Sequence, residues 1–154
     1  MLRLSKKRLF AIEAVVDIAY HAGADPVRSG DISRRQGIPR RYLEQVLQEL
    51  VHKGILAGQR GPRGGYRLAR ERRRISVGDI MRVVGALEGG DSVIETENAA
   101  DGSEIALKVI RPLWGDLQRE IMERLDHLTV EDLCTRARTL HIDSEAARVP
   151  DFSI

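Results

Sequence analysis

Residues 29–68 read SGDISRRQGIPRRYLEQVLQELVHKGILAGQRGPRGGYRL, and the beginning of this segment predicts a short helix. The helix is expected to begin at Ser29 or Asp31, because both side chains can cap a helix N-terminus. It is expected to end at Gln36, because Gly37 stands where a tight turn between two helices favours glycine.

The rest of this segment predicts a longer helix and then a hairpin. Pro39 suits the first position of a helix, where a missing N–H costs little, and Gly54 ends the helix. Two short strand-like runs follow at residues 55–59 and 66–69, separated by the turn sequence RGPRGG. The apolar side chains of the longer helix form one stripe: Tyr42, Leu43, Val46, Leu47, Leu50 and Val51.

Helices are predicted on both sides of this segment. Ser5 can cap a helix that ends near Gly23, and Ser76 can start another that ends before Gly89. Three helices followed by a two-stranded hairpin form the order of a winged helix-turn-helix. We therefore expect a mainly α fold with a small β-hairpin wing and a long dimerisation helix.

The C-terminal half predicts an acidic loop followed by that long helix. Residues 89–104 are polar and acidic without a clear period, which is typical of a poorly ordered loop. The helix covers about residues 105–128, and Pro112 and Gly115 predict a kinked or ill-defined beginning. Its apolar seam is too long for the N-terminal part to cover, so a homodimer is expected. The residues assigned to that interface are Ile110, Leu113, Trp114, Leu117, Ile121, Leu125 and Leu128.

The end of the chain predicts one more helix and a tail. Thr129 and Asp132 resemble a capping box for a helix that ends at about Leu140, and the chain beyond Ser144 is expected to be loose. These patterns divide the chain into four parts. They are a winged helix-turn-helix over residues 1–75, a connecting helix with the acidic loop over 76–104, a helical dimerisation region over 105–143 and a tail over 144–154.

The 154 residues carry a net charge of +2, which hides two oppositely charged halves. Residues 1–74 hold 17 Lys and Arg against 7 Asp and Glu, whereas residues 75–154 hold 8 against 16. A basic half joined to an acidic one indicates that the first half meets a polyanion such as double-stranded DNA. The alternative is a chance clustering of charges on solvated faces.

The third helix and the hairpin tip carry side chains that suit DNA. Arginine can bond guanine bidentately, glutamine can pair with adenine and glutamate can accept from cytosine. Glycines at the tip permit a close turn that would direct arginines to a minor groove. The alternatives are an ordinary solvated helix face and a structural turn with incidental arginines. The candidate DNA-binding residues are Arg40, Arg41, Glu44, Gln45, Gln48, Arg60 and Arg63, with Lys6, Lys7 and Arg8 as candidate phosphate contacts.

Several motifs carry a resemblance to a known family. They are Ser5-Lys6-Lys7-Arg8, the run from Asp31-Ile32 to Gln36-Gly37-Ile38, Tyr42-Leu43-Glu44-Gln45, and Arg60-Gly61-Pro62-Arg63-Gly64-Gly65-Tyr66-Arg67-Leu68. On these residues the chain resembles the bacterial transcriptional regulators typified by IscR, NsrR and CymR. The resemblance covers residues 2 to about 88 closely, and it extends to Leu113-Trp114 and Leu128-Thr129-Val130 in the dimerisation region.

This resemblance implies roles for individual residues. It places Tyr42, Glu44 and Gln45 on the third helix and Arg60 on the wing at the family's DNA-contact positions. Arg41 stands where some members have serine, which leaves the operator sequence open. The resemblance to CymR also allows an alternative function, in which the winged fold binds a partner enzyme such as cysteine synthase.

The resemblance raises the question of an iron-sulfur cluster, which many members hold through three cysteines in the loop before the dimerisation helix. That loop has no cysteine here, and Cys134 lies beyond the long helix, so no cluster and no metal site are expected. Carboxylates of the acidic loop could bind a hard cation, but they lack a fixed spacing. Cys134 is interpreted as a small core residue, with a redox role as the alternative. The histidines are too widely spaced to predict a metal site: His21, His52, His127 and His141.

The sequence lacks the patterns of an enzyme or a membrane protein. It has no P-loop, nucleophile elbow or HExxH pair, and no run approaches the ~20 apolar residues of a membrane span. Glu13 and Asp17 interrupt what would be the core of a signal peptide, and a single cysteine suits a reducing cytoplasm. We therefore expect a cytoplasmic, homodimeric repressor that binds an inverted-repeat operator. A small-molecule effector or a partner enzyme is left open.

Overall fold

The computed structural model describes residues 4–87 and 102–148. It confirms the expected mainly α fold with a hairpin wing. The first half contains α1 (Lys6–Tyr20), α2 (Ser29–Gln36), α3 (Arg40–His52), β1 (Leu56–Gln59) and β2 (Gly65–Leu68), followed by a 3₁₀ turn at Arg72–Arg74 and α4 (Val77–Leu87). The second half contains a π-helical stretch at Ala106–Ile110, α5 (Arg111–His127), α6 (Val130–Thr139) and a 3₁₀ turn at Glu145–Arg148.

Local signals set the limits of the first helices. The Ser5 hydroxyl accepts a hydrogen bond from the backbone N–H of Arg8 (3.3 Å), which caps α1. Gly37 adopts a left-handed conformation (φ 65°) and ends α2. Pro39 precedes α3 as its N-cap, one position before the first helical position expected for it. These residues confirm the two predicted helices of the helix-turn-helix.

The core of the first half is built around α1, which packs against α3, α4 and α6. Leu43, Val46, Leu47 and Leu50 of α3 are all buried in this core. The predicted apolar stripe was wrong at Tyr42, whose side chain is 46% exposed. Successive helical residues are rotated by about 100° around the helix axis. Tyr42 comes one position before the buried Leu43, so it lies at the edge of the buried face.

The wing is a two-stranded antiparallel sheet that is extended by one residue from another part of the chain. The register pairs Leu56 with Leu68 and Gln59 with Gly65. Val27, which precedes α2, pairs with Tyr66 through two backbone hydrogen bonds of 2.9 and 2.8 Å. This pairing fixes the hairpin beside the start of α2.

A second isolated backbone pairing attaches the C-terminal helices to the first half. Ser76, before α4, pairs with Thr129, before α6. The N–H of Val77 donates to the carbonyl of Leu128 (2.8 Å), and the N–H of Val130 donates to the carbonyl of Ile75 (2.9 Å). Both helices therefore begin at the same short strand pair.

Capping boxes form at the starts of α4 and α6. Ser76 and Asp79 exchange two hydrogen bonds of 3.0 Å at the first of these, and the predicted box of Thr129 and Asp132 is confirmed at the second. The Thr129 N–H donates to the Asp132 carboxylate (2.9 Å), and this bond lowers the pKa of Asp132.

An ion pair joins α4 to the end of α5. Two nitrogens of Arg82 each lie 2.7 Å from an oxygen of Asp126. These hydrogen bonds lower the pKa of Asp126. The bidentate pair adds a side-chain contact beside the backbone pairing of Ser76 and Thr129.

The beginning of the long helix is irregular, as Pro112 and Gly115 predicted. The N–H of Arg111 donates to the carbonyl of Ala106, five residues earlier, and regular α-helical structure starts at Arg111. Pro112 has no N–H, so it cannot donate the hydrogen bond to the carbonyl four residues earlier that an α-helix would have here. Of the acidic loop predicted at residues 89–104, residues 89–101 lie outside the described part of the chain.

α5 and the π-helical stretch before it carry several apolar residues that are exposed in the single chain. Ile105, Val109, Leu113, Leu117 and Ile121 are each between 39% and 68% exposed, and they recur every four residues along the chain. Ile110 of the assigned interface is also exposed, whereas Trp114, Leu125 and Leu128 are half-buried. No helix in residues 4–87 or 102–148 has both the length and the apolar content that crossing a bilayer requires.

A buried carboxylate joins α1 to α2. The side chain of Asp17 is fully buried and accepts hydrogen bonds from Arg35 (2.9 and 2.7 Å) and Gln36 (2.8 Å). Its bond to Arg35 is the largest cause of the raised pKa of that guanidinium. Arg35 also bonds Glu145 (2.7 Å). Asp17 thus joins α1 to α2 through charged hydrogen bonds, in addition to the apolar contact of the buried Ile32 of α2.

The chain after α6 returns to this cluster. The Ser144 hydroxyl donates to the Tyr20 carbonyl (2.7 Å), and the Glu145 N–H donates to Nδ1 of His21 (3.0 Å). Residues 144–148 of the predicted tail therefore lie against the end of α1, while residues 149–154 lie outside the described part of the chain.

Removal of Arg35 is expected to destabilise the fold, because it leaves the buried Asp17 carboxylate without its cation. Arg35→Leu should lower the free energy of unfolding by about 3 kcal/mol, measured by urea denaturation. Arg34→Leu is the matched control, because the Arg34 side chain is 65% exposed and its ion pairs should contribute about 0.5 kcal/mol or less. Equal losses in the two variants would contradict the role assigned to Asp17.

Candidate nucleic-acid interface

The outward face of α3 gathers most of the candidate base-reading residues. The apolar residues Leu43, Val46, Leu47 and Leu50 anchor the helix in the core, and this orientation leaves the polar face in solvent. The exposed candidates on this face are Arg40, Arg41, Tyr42, Glu44, Gln45 and Gln48. The helix therefore presents donors, acceptors and an aromatic ring on a surface that a major groove can accommodate.

Two of these candidates interact with each other. Nε of Arg40 lies 3.4 Å from a carboxylate oxygen of Glu44, one helical turn away, and both side chains are more than half exposed. An exposed pair at this spacing stabilises a helix by only about 0.3–0.5 kcal/mol. The pair can therefore open when a nucleic acid competes for either side chain.

Glycines set the shape of the wing. Gly61 has φ 109°, a conformation that side chains with a Cβ rarely adopt, and its carbonyl accepts from the N–H of Gly64 (2.9 Å). A Cβ on Gly65 would lie 2.5 Å from the carbonyl oxygen of Val27. Gly61 therefore turns the tip, and Gly65 allows the wing to approach the segment before α2.

An open groove lies between the wing, α3 and the start of α2. Its volume is about 850 Å³, and Arg40, Gln48 and Arg60 of the candidate set line it. Val51 and Tyr66 contribute less polar surface to the same groove. The structure therefore brings candidates from the third helix and the wing, which are separate in sequence, to one surface.

The remaining candidates lie elsewhere. Arg63 is exposed at the wing tip, outside the lining of the groove. Lys6, Lys7 and Arg8 form the first turn of α1, where Lys6 is exposed and the other two are half-buried. These three basic residues are not part of the groove surface.

Arg28 belongs to this surface and was not among the sequence-based candidates. It lines the groove, and its guanidinium donates a 2.9 Å hydrogen bond to the carbonyl of Pro62 at the wing tip. The tertiary pairing of Val27 with Tyr66 brings Arg28 to the wing, 34 residues away in sequence. No local pattern around Arg28 could have revealed this contact.

Comparison with known proteins assigns the family. Residues 4–136 match the family described as Rrf2, iron-dependent transcriptional regulator. The chain belongs to the Rrf2 family. As a member of it, the protein is a DNA-binding transcriptional regulator rather than an enzyme.

Curated Rrf2 relatives and solved structures agree with this assignment. The HTH-type transcriptional regulator IscR of Vibrio parahaemolyticus is 33% identical over 92% of this chain and 82% of its own length. IscR of Xenorhabdus nematophila is 34% identical over 97% of this chain and 92% of its own length.

Two solved structures share the fold. T. potens IscR superposes with a TM-score of 0.72 and 34% identity, covering 93% of each chain. CymR, the global cysteine regulator of B. subtilis, superposes with a TM-score of 0.70 and 32% identity, covering 88% of this chain and 98% of its own.

The donor set of this Rrf2 chain does not fit a three-cysteine iron-sulfur cluster. Its one cysteine, Cys134, is fully buried in the core on α6, as expected, and burial raises the pKa of its thiol. A protonated, buried thiol is a poor ligand and a poor nucleophile. Within residues 4–87 and 102–148, no three His, Cys, Asp or Glu side chains are grouped so as to hold a metal ion.

The close approach at Gly65 predicts that a single methyl group will disturb the wing. Gly65→Ala should lower the free energy of unfolding by about 1–3 kcal/mol, because the added Cβ overlaps the Val27 carbonyl. It should also reduce the hydrogen-exchange protection of the Val27 amide. Gly58→Ala on β1 is the control, because its Cβ would lie 3.9 Å from Cε1 of Tyr66. Unchanged stability and protection in Gly65→Ala would disprove the tight contact.

Proposed function

We infer that the protein is a homodimeric repressor that binds an inverted-repeat operator with α3 and the wing of each protomer. The observation that carries this proposal is the groove that joins Arg40 and Gln48 of α3 to Arg60 of the wing. A recognition helix in a major groove and a wing in the adjacent minor groove would contact neighbouring parts of one DNA duplex.

The proposed contacts divide by chemistry. Arg40, Arg41, Gln45 and Gln48 offer donors for base edges in the major groove, and Glu44 accepts from cytosine. Tyr42 is exposed beside them. Arg60 and Arg63 supply cations for a minor groove of high negative potential. Lys6, Lys7 and Arg8 contact phosphates, which adds affinity without sequence information.

The operator is tested by selecting bound duplexes from a randomised DNA pool at near-physiological salt. The wild-type protein should enrich an inverted repeat. Arg60→Ala should bind that sequence about tenfold or more weakly in fluorescence anisotropy, because a minor-groove cation is lost. Arg119→Ala, on the exposed surface of α5, is the control and should bind like the wild type. Undiminished affinity of Arg60→Ala would remove the wing from the proposal.

Salt dependence separates this function from the alternative of binding a partner enzyme. Lys and Arg contacts to phosphates release counterions, so the affinity for DNA should fall steeply as salt rises. An enzyme bound through an apolar protein interface would not show this slope. Absence of any enriched DNA sequence, together with a salt-insensitive protein complex, would favour the partner enzyme.

The exposed apolar residues of α5 and of the π-helical stretch before it, called the α5 stripe below, support the homodimer. Ile105, Val109, Leu113, Leu117 and Ile121 span 17 residues and about 24 Å of helix length. Burying an apolar side chain of this size stabilises an assembly by about 1.5–3 kcal/mol. A second copy related by a two-fold axis would cover the stripe with the same stripe.

Such a dimer defines the form of the operator. Two copies of α3 related by a two-fold axis would read half-sites about 34–36 Å apart or at a multiple of that distance. The half-sites would be inverted, because the protein symmetry imposes its own symmetry on the DNA. A dimer bound there would block access of RNA polymerase, which is the basis for proposing repression.

Charges placed on the stripe are expected to separate the dimer. The double variant Leu113→Glu/Leu117→Glu should sediment as a monomer, whereas the wild type should sediment at twice the chain mass. Both positions are exposed within one chain, so the folded helix content should persist in circular dichroism. Leu140→Glu is the control, since Leu140 is 72% exposed at the end of α6 and lies outside the stripe. A dimeric double variant would contradict the assigned interface.

A further inference from the structure

We propose that Arg28 is a positioning residue that holds the wing tip at the correct distance from α3 for DNA binding. This inference rests on the proposed role of the wing. It concerns a residue on the opposite side of the groove, before α2. The bond between its guanidinium and the Pro62 carbonyl spans the groove between the two elements.

The base and the tip of the wing are held in different ways. At the base, Val27 and Tyr66 exchange two backbone hydrogen bonds, and Gly65 packs directly against the Val27 carbonyl. The tip lies beyond this pairing, where Gln59 and Gly65 form the last paired positions of the hairpin. The residues that carry the wing cations therefore extend past the backbone bonds that fix the base.

Arg28 has the geometry to restrain this tip. It is the N-cap residue of α2, with extended backbone angles (φ −79°, ψ 144°), and its side chain makes no capping hydrogen bond. It directly follows Val27, so its own backbone is fixed to the base of the wing. The side chain then reaches Pro62, between Arg60 and Arg63, and donates a 2.9 Å hydrogen bond to its carbonyl.

The choice of arginine has a physical reason. Pro62 has no N–H, so its backbone can be held only through its carbonyl oxygen, which needs a donor. A guanidinium has five N–H donors on a long side chain, so it reaches the tip while keeping donors directed into the groove.

The proposed positioning role of Arg28 is first tested in the DNA-free protein. Arg28→Met keeps the length and packing of the side chain but removes its donors. The NMR order parameters of the Gly61 and Gly64 amides should fall in this variant from near 0.85 toward about 0.6. They should be unchanged in Arg34→Met, a matched loss of an exposed arginine on the same helix. Unchanged order parameters in Arg28→Met would overturn the proposal, whatever the protein's affinity for DNA.

A double-mutant cycle then tests whether Arg28 acts through the wing. The probe is a duplex carrying the enriched inverted repeat, compared with a scrambled duplex of the same length. Arg28→Met should weaken specific binding roughly threefold to tenfold, and Arg28→Lys, which retains a donor, should recover most of the loss. In the Arg60→Ala/Arg63→Ala background, Arg28→Met should add no further loss, because the wing no longer contributes its cations.

A direct phosphate contact by Arg28 would give a different result. The losses would then multiply in the triple variant, and the slope of log affinity against log salt would fall by about one. That outcome would replace the positioning role with a contact role. If the wild-type protein enriched no DNA sequence, the proposed function would fail, while the order parameters would still decide whether Arg28 restrains the tip.

Discussion

The pairing of Val27 with Tyr66 is the constraint on which the proposed DNA-binding surface depends. Two backbone hydrogen bonds of 2.9 and 2.8 Å make the segment before α2 a third, one-residue strand of the wing. They fix the hairpin relative to the helix-turn-helix, and the absence of a side chain at Gly65 permits this approach. Without the pairing, the groove would lose one wall, and the arginines of α3 and the wing would no longer have a defined separation.

A second one-residue backbone pairing attaches the C-terminal helices. The pairing of Ser76 with Thr129 joins the N-terminus of α4 to the N-terminus of α6. The bidentate hydrogen bonds between Arg82 and Asp126 hold the end of α5 beside α4. In the proposed dimer, the orientation of α5 would therefore set the orientation of each winged unit. A small rotation between the two long helices would change the separation of the two recognition helices, because little flexible chain lies between the described end of α5 and this pairing.

Features that depend on neighbouring residues in sequence were predictable, and features that depend on tertiary pairing were not. Ser5, Gly37 and the box of Thr129 and Asp132 mark helix ends because capping is a local interaction, and the structure has each of them in place. The buried face of α3 was predicted from the period of its apolar residues, apart from Tyr42, which lies at the edge of that face. Arg28 and the partners of Asp17 had no such signal, since their contacts join segments distant in the chain. Ile105 and Val109 are exposed but were not among the predicted interface residues, because the π-helical stretch and Pro112 interrupt the regular helical period.

The positive charge of the first half gives an incomplete measure of its capacity to bind DNA. Arg35 is held by the buried Asp17 and by Glu145, Arg73 pairs with Glu71, and Arg67 and Arg70 donate to backbone carbonyls. These cations serve the fold, and a phosphate would have to compete with existing partners to bind them. The arginines of α3 and the wing tip differ, because the ion pair of Arg40 with Glu44 is exposed and easily opened, and Arg41, Arg60 and Arg63 are exposed. Several other arginines are thus already bound to protein groups, which leaves the exposed cations of α3 and the wing available to the proposed DNA site, where affinity would depend on correct placement on the duplex.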